Sequence, residues 1–421
     1  MANGTENHSP IPIMTVSTRD VAGSQPPSDP GPYPMQFQRL GQGLMGQGVA
    51  FQAEFNGPQR FDQAKSWWAE VTERATIHDP VNRPGSGLAA FSTFTFDQGS
   101  RHNSVIIIPQ TIYGVDELGS FETRLSADRK PAAPLVVADT VRTPRPADGW
   151  TEGTMSEKRF VEVCSLATEK TAKGSLHKVV IARDLIRGVP DSFSLARSTQ
   201  WLTEAYPDTH VFLVDGLFGA SPETLASVRD GRIHLRVLAG SAARGSDPVK
   251  DADNAQALAT NTKDLDEHGF AVRNVLDSLD EAGVHGIADN LPFALKLPNL
   301  WHLATDITGA VPPGANGLDI IRALHPTAAV AGTPTDNALS FIGEHELVDR
   351  GRYAGPVGWL DAKGNGEWAL AIRCAQFDAT ESVITAYAGA GIVNGSDPET
   401  ELRETELKFR PIIQAVEATL K

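Results

Sequence analysis

Cysteine is nearly absent from this chain: there are two in 421 residues, Cys164 and Cys374. They fall in separate strand or helix patterns without metal-ligand spacing, so neither a disulfide framework nor a cysteine zinc site is indicated, and a reducing cytosol fits. Basic runs are missing too, and the formal charge is −15. Binding to a phosphate backbone therefore lacks its electrostatic footprint, and nucleic acid is not an expected partner. No stretch approaches the roughly 20 apolar residues that a membrane span needs. The start carries no basic segment followed by an apolar run, so secretion and membrane insertion are disfavoured and a cytoplasmic location is expected. Neither a Walker A sequence nor a GxGxxG fingerprint occurs, which leaves a nucleotide cofactor unsupported. No Ser/His/Asp or Cys/His arrangement and no internal repeat stands out.

What is present is 41% hydrophobic residues, enough for a large core in one big unit or two to three ordinary ones. Residues 1–44 are rich in Pro, Ser, Gly and Asn (HSPIPIM, GSQPPSDPGPYP) and read as a mobile or loosely docked arm. Residues 45–150 are dominated by strand-like runs such as SVIIIPQTIYGV, with one helix expected over Gln59–Ala75, and read as a scaffold part. The segment RTPRPADGWTEG is a connector, and residues 151–421 carry the chemistry-bearing groups. There, helices are expected over Ser156–Lys173, Asp191–Ala205 and Ala252–Ala282, with strands at Lys178–Asp184 and His210–Leu217. The mixture argues for an α+β fold with one continuous catalytic region over 45–421 and no clean two-domain split.

Several places draw attention as candidate chemistry, and each has a plainer reading beside it. In ETELRETELKFRP, Glu401, Glu404 and Lys408 share one stripe of a helix whose other face is apolar; the plain alternative is a Glu404–Lys408 i,i+4 pair. In KDLDEH, placed in the middle of the long helix, Asp264, Glu267 and His268 stand at i, i+3 and i+4 and are otherwise a solvated face. Two helices each offering two acids would suit Mg²⁺, which takes a few carboxylates together with waters and substrate oxygens. Lys178 enters the buried strand KVVIARD, where it either snorkels or serves as a desolvated amine base. Glu223 follows a strand and a small-residue turn, with Pro222 at a plausible first helical position; it is an acid in a first helical turn or a general acid with a raised pKa. Gly240 and Ser241 in LAGSAARG, and Gly389, Ala390 and Gly391 in YAGAGIV, are either simple turns or places of close backbone approach. Arg373 on the strand WALAIRCA is either a strand arginine paired at the surface or a cation for bidentate carboxylate contact. His302 and His325 read first as hydrogen-bonded core residues.

Taken in order, KVVIARD, GASPET, LAGSAARG, KDLDEH, LWHLAT, LHPTAAVAGTP, GRYAGPVGW, GNGEWALAIRCA, AGAGIV and RETELK closely resemble the chorismate-utilising enzymes, and among them the isochorismate synthases. The resemblance spans roughly residues 155–415. It implies a single large α+β unit of antiparallel sheets stacked as a sandwich-like core, with outer helices and an active site in the cleft between the layers. It also implies roles. Lys178 would be the general base that activates water, and Glu223 the general acid for the departing ring hydroxyl. Glu267 and Glu404 would hold Mg²⁺ with Asp264 and Glu401 in support. Arg373, Lys408, Tyr353 and the backbone at Gly240, Ser241 and Gly389 would hold the two carboxylates of chorismate, and His302 would line the ring pocket. Relatives that add ammonia usually carry another residue at the strand lysine, so Lys178 favours water. Salicylate synthases, which share the lysine and also expel pyruvate, are the runner-up. The family is often monomeric, and a monomer is expected.

Overall fold

A computed structural model describes residues 11–21, 31–128, 149–289, 291–296 and 300–420, and the statements below concern these. The fold is mixed α+β, with two large, mainly antiparallel sheets and flanking helices. Contacts group the chain into two compact units where the sequence suggests one continuous region. The larger comprises Met1–Glu223, His325–Ala362 and Ala369–Lys421, and the smaller Thr224–Leu324 with Lys363–Trp368.

A thirteen-stranded sheet lies wholly in the larger unit. From one edge its strands are Thr151–Glu152, Lys178–Gly188, Val383–Val393, Cys374–Asp378, Leu217–Ser221, His210–Val214 and Met35–Arg39. It continues through Gln42–Gln47, Thr111–Asp116, Gly119–Ala127 and Met14–Asp20 to Ala75–His78, with Gly332–Thr333 pairing beside Lys178–Gly188. One face is covered by the helices Leu195–Ala205 and Pro398–Leu420. Leu202, Phe409, Ile412 and Val416 pack there against Leu213, Phe218, Ile384 and Ala386. Spacing of three and four residues on the C-terminal helix puts its apolar side on the sheet and leaves Glu404 exposed. The helix Glu157–Ala172 begins where expected, because Ser156 caps it by accepting from the Arg159 amide at 3.2 Å.

The expected arm is corrected in part. Met14–Asp20 alternates buried and exposed residues, with Met14 and Val16 fully buried, and pairs on both sides, with Gly119–Ala127 and Ala75–His78. A period of two over only a few residues was enough to make a strand inside a Pro- and Ser-rich stretch. Met35–Arg39 is likewise a strand. Residues 1–10, 22–30 and the connector positions 129–148 lie outside the described residues.

In the smaller unit, antiparallel strands Thr224–Arg229, Arg232–Ala243, Leu300–Ala310 and Gly286–Ala288 pair in that order, with Phe293–Lys296 also on Leu300–Ala310. The single long helix expected over Ala252–Ala282 is two, Pro248–Thr260 and Thr262–Glu281. Asn261 breaks it. Its backbone is extended and its side chain accepts from the Asp264 amide at 3.1 Å, so the residue caps a new helix instead of continuing the old one. KDLDEH thus occupies the opening turns of a helix, and Asp264 stands in its first turn. Among the described residues no helix is long and apolar enough to cross a membrane.

Candidate active site

In the larger unit, Lys178 opens its strand half-buried, while Val179, Val180 and Ile181 behind it are buried. A Cβ on Gly391 would lie 2.9 Å from Lys178 Cε, so the absence of a side chain there gives the lysine its path. Glu223 follows the Leu217–Ser221 strand, but no helix starts at it. The chain continues as the strand Thr224–Arg229, turned back by Asp230 and Gly231, both at positive φ, the two-residue hairpin signature that the Pro222 reading overlooked. The Glu223 amide donates to Ser221 Oγ at 3.2 Å, and its carbonyl accepts from the Leu370 amide at 3.1 Å. Desolvation raises its carboxyl pKa, while Lys178, Arg373 and Lys408 pull it back. Desolvation outweighs the three cations, so the acid is biased toward keeping its proton.

Arg373 is not on a strand. It sits at φ +53° immediately before Cys374–Asp378, with its carbonyl accepting from the Ala220 amide at 3.2 Å. This left-handed corner explains why a strand pattern misplaced it. Burial lowers its pKa, against the pull of Tyr353, Glu404 and Glu223. Lys408 is lowered by burial as well; its ammonium donates to Gly389 O at 2.7 Å and pairs with Glu404 Oε1 at 2.5 Å. The i,i+4 pair set aside in favour of separate roles is thus formed, and Lys408 serves both partners at once. Tyr353 is buried and stacks on Tyr387 at 5.2 Å with 12° between the rings. Its hydroxyl lies 2.9 Å from where a Cβ on Gly389 would be, so a side chain there has no room. Glu401 is raised by burial and by the neighbouring charge of Glu404, with Ser396 opposing through a hydrogen bond.

In the smaller unit, the Arg232–Ala243 strand loses register between Leu238 and Ser241, and Gly240 takes φ +77°. His302 Nδ1 lies 3.1 Å from Gly240 O, and Asp264 Cβ would be 3.5 Å from a Cβ placed on Gly240. His268, almost fully buried, joins this helix to two strands through Ala239 O at 3.0 Å and Thr305 Oγ1 at 2.7 Å. Desolvation lowers its pKa. Gly240, Asp264 and His302 are therefore brought together; the side chains of Ser241 and Glu267 lie outside the described residues. Trp301, beside His302 on the strand, faces the opposite way. It lines a groove of about 650 Å³ with Arg244, Asp251 and Lys296, and none of the expected site residues lines that groove. His325 is a core residue: it is buried, its Nε2 donates to Phe96 O at 3.1 Å, and burial takes its pKa down to about 3. Among the described residues, no group of three or more His, Cys, Asp or Glu side chains is gathered as a metal site.

Sequence reading missed Glu346 and Arg350, whose side chains are 1% and 3% exposed and which bond to the backbone of the Lys178 strand. The only signal was their i,i+4 spacing just ahead of GRYAGPVGW.

A family model described as chorismate binding enzyme matches residues 120–417. MenF of Mycobacterium tuberculosis is 37% identical over 314 residues, covering 68% of this chain and 83% of that protein. The isochorismate synthase DhbC of Bacillus subtilis is 38% identical over 259 residues, 59% of this chain and 65% of that one. The solved structure of MenF from Escherichia coli, titled a menaquinone-specific isochorismate synthase, superposes with a TM-score of 0.73 at 23% identity, over 97% of this chain and 95% of the other. That likeness carries the fold.

Proposed function

The chain belongs to the chorismate binding enzymes, and from that premise we propose that it is an isochorismate synthase, adding water at ring carbon C2 of chorismate as the C4 hydroxyl leaves. The observation that carries the reading is Glu223. It is an acid with a raised pKa that feels the charges of Lys178 on its strand, Arg373 at the corner before Cys374–Asp378 and Lys408 on the C-terminal helix. The reaction needs one base, one acid and cations for a dianion, and that inventory is what the larger unit supplies.

Lys178 takes a proton from water as the oxygen bonds to C2. Both ring double bonds shift, C1=C2 to C1=C6 and C5=C6 to C4=C5, the C4–O bond breaks, and Glu223 gives its proton to the departing hydroxyl. One water enters and one leaves, so the product is an isomer of the substrate. Arg373 offers a planar fork and Lys408 a point charge to the two carboxylates, with Gly389 and Gly240 admitting them close to the backbone. Tyr353 and His302 complete the substrate contacts.

The acids fit Mg²⁺. Glu401 is held against its own charge by burial and by Glu404, and a divalent cation relieves that conflict. On the larger unit Glu404 would be a direct ligand with Glu401 in support; on the smaller unit Glu267 and Asp264 are the corresponding candidates. Bound there, the ion supplies positive charge to the substrate's carboxylate.

Incubation with chorismate and Mg²⁺ tests the reading, with product identified by NMR and pyruvate assayed separately. Isochorismate without pyruvate is expected. Stoichiometric pyruvate with salicylate would move the assignment to salicylate synthase, and no turnover would overturn it.

A further inference from the structure

We propose that the buried pair Glu346–Arg350 acts as a surrogate strand that sets the position of the Lys178 strand, making both residues positioning residues for the reaction. The inference rests on the reading of Lys178 as the base. It starts from a gap in the sheet.

One edge of Lys178–Gly188 is paired along its whole length with Val383–Val393. Among the described residues, strands cover the other edge only at its ends. Gly332–Thr333 pairs with Val179 and Lys178, and the Val180 amide donates to Ala331 O at 2.8 Å. At the far end Thr151–Glu152 pairs with Ile186 and Leu185, and the Gly153 amide donates to Asp184 O at 3.0 Å. Between them, the carbonyl of Val180 and the amide of Ala182 point away from Val383–Val393 with no strand to receive them. Buried backbone groups left so would be costly.

Side chains take the strand's place. Arg350 Nη2 donates to Val180 O at 2.8 Å, and Glu346 Oε2 accepts from the Ala182 amide at 2.9 Å. The two close on each other through Nε to Oε1 at 2.6 Å and Nη2 to Oε2 at 2.8 Å. Arg350 Nη1 reaches Val330 O at 2.8 Å, tying in the chain that leads to Gly332–Thr333, and the guanidinium lies 4.3 Å over the Phe96 ring. One donor and one acceptor, two residues apart, reproduce what a ladder would offer. An apolar pair of the same volume could fill the space but not the ladder.

The clamped segment is the one that registers the site. Ala182 stands opposite Gly389, whose carbonyl holds Lys408, and Val180 stands opposite Gly391, past which the Lys178 side chain runs. Arg350 O also accepts from the Tyr353 amide at 2.9 Å, so the same turn places Tyr353 beside Gly389. A shift of the strand at Val180–Ala182 therefore moves the lysine and its surroundings together. Neither Glu346 nor Arg350 need touch substrate to affect turnover.

Two variants test this, Glu346→Gln, which keeps an acceptor but loses the fork, and Arg350→Lys, which keeps the charge but loses the planar donors. Steady-state kinetics on folded protein should show kcat down by about tenfold or more, with KM for chorismate changed much less, as expected of a misplaced catalytic group. Hydrogen exchange resolved to single amides gives a readout independent of catalysis. In the unmodified protein Ala182 should be protected like Ile181 and Arg183, which face Val383–Val393; in the variants Ala182 alone should exchange faster. Placed in a Lys178→Ala background, Glu346→Gln should lower the residual rate by much less than it lowers the rate of the otherwise unmodified protein. Free exchange of Ala182 in the unmodified protein, an unchanged kcat with only thermal stability lowered, or a full additional loss in the Lys178→Ala background would each overturn the proposal. Wild-type turnover by Lys178→Ala alone would instead overturn the base assignment, while the exchange data would still judge the clamp.

Discussion

Four shifted groups assigned to chemistry in the larger unit and the paired charges of the smaller unit are held in different ways. In the larger, four groups assigned to chemistry are displaced mainly by desolvation: Glu223 and Glu401 upward, Arg373 and Lys408 downward. In the smaller, the displaced carboxylates and arginines are held by partners. Arg244 binds Asp251 through two bonds of 2.7 Å, and Arg236 binds Asp306 at 2.5 and 2.8 Å; each pair lowers its acid and raises its base. Desolvation without full compensation leaves a group ready to exchange a proton or meet a charged ligand, whereas a paired charge has already been satisfied. The difference predicts that substitutions of site residues in the larger unit act on turnover, and that those in the smaller unit's scaffold act first on stability.

The largest test is removal of the base or the acid. Lys178→Ala and Glu223→Gln should each lower kcat by at least about a hundredfold with the fold retained, measured by isochorismate formation and circular dichroism. Wild-type turnover in either would break the contrast at its centre. For Glu223 the sign with pH is set by the raised pKa. The proton it donates is in place below that pKa and is lost as pH rises through it, so kcat should fall on the alkaline side. Glu223→Gln should abolish that limb in the remaining activity; a limb that persists belongs to another group.

Gly391→Ala is a finer cut at the same unit. The added methyl would meet Lys178 Cε at 2.9 Å, and the flexible end of that side chain yields before the strand does. Displacement of the ammonium by a fraction of an ångström to one ångström predicts a kcat loss of up to about a hundredfold, with little change in melting temperature. Unchanged kcat would mean that Lys178 works from some other path.

Why some of this was legible and some was not follows from range. The helix from Glu157 and the C-terminal helix announced themselves through a serine cap and an apolar stripe, signals contained within a few residues. The left-handed corner at Arg373 was not, because the strand-like letters WALAIRCA continue straight through it and the carbonyl contact that fixes it comes from Ala220, far away in the chain. Asn261 could have been read: Thr-Asn-Thr interrupts the helical pattern with a residue suited to capping, but the periodic leucines on either side outweighed it. The ordered motifs named the candidate residues on both units, yet Glu346 and Arg350 escaped. Their work is done on backbone groups 164 and 170 residues away, and no local pattern encodes that.

Glu404→Gln probes the metal side of the comparison. Losing one charged oxygen should raise the Mg²⁺ concentration for half-maximal activity by at least about tenfold, while Lys408 retains Gly389 O as a partner. An unchanged Mg²⁺ titration would remove Glu404 from the ligand set and return it to the ion pair with Lys408.

The smallest effect is expected in the smaller unit, at Asn261. Its side chain caps the helix that begins with Asp264, so Asn261→Ala should cost about 1 kcal/mol of stability, read from urea unfolding. His268 holds the same helix at Ala239 O and Thr305 Oγ1, two anchors that do not depend on the cap, so Asp264 should stay in place and kcat at saturating Mg²⁺ should change by less than about twofold. A loss of kcat comparable to that of Gly391→Ala, with little change in stability, would show that the helix start tunes chemistry directly. The smaller unit would then have to be counted with the larger as part of the catalytic apparatus and not only as the frame that presents its ligands.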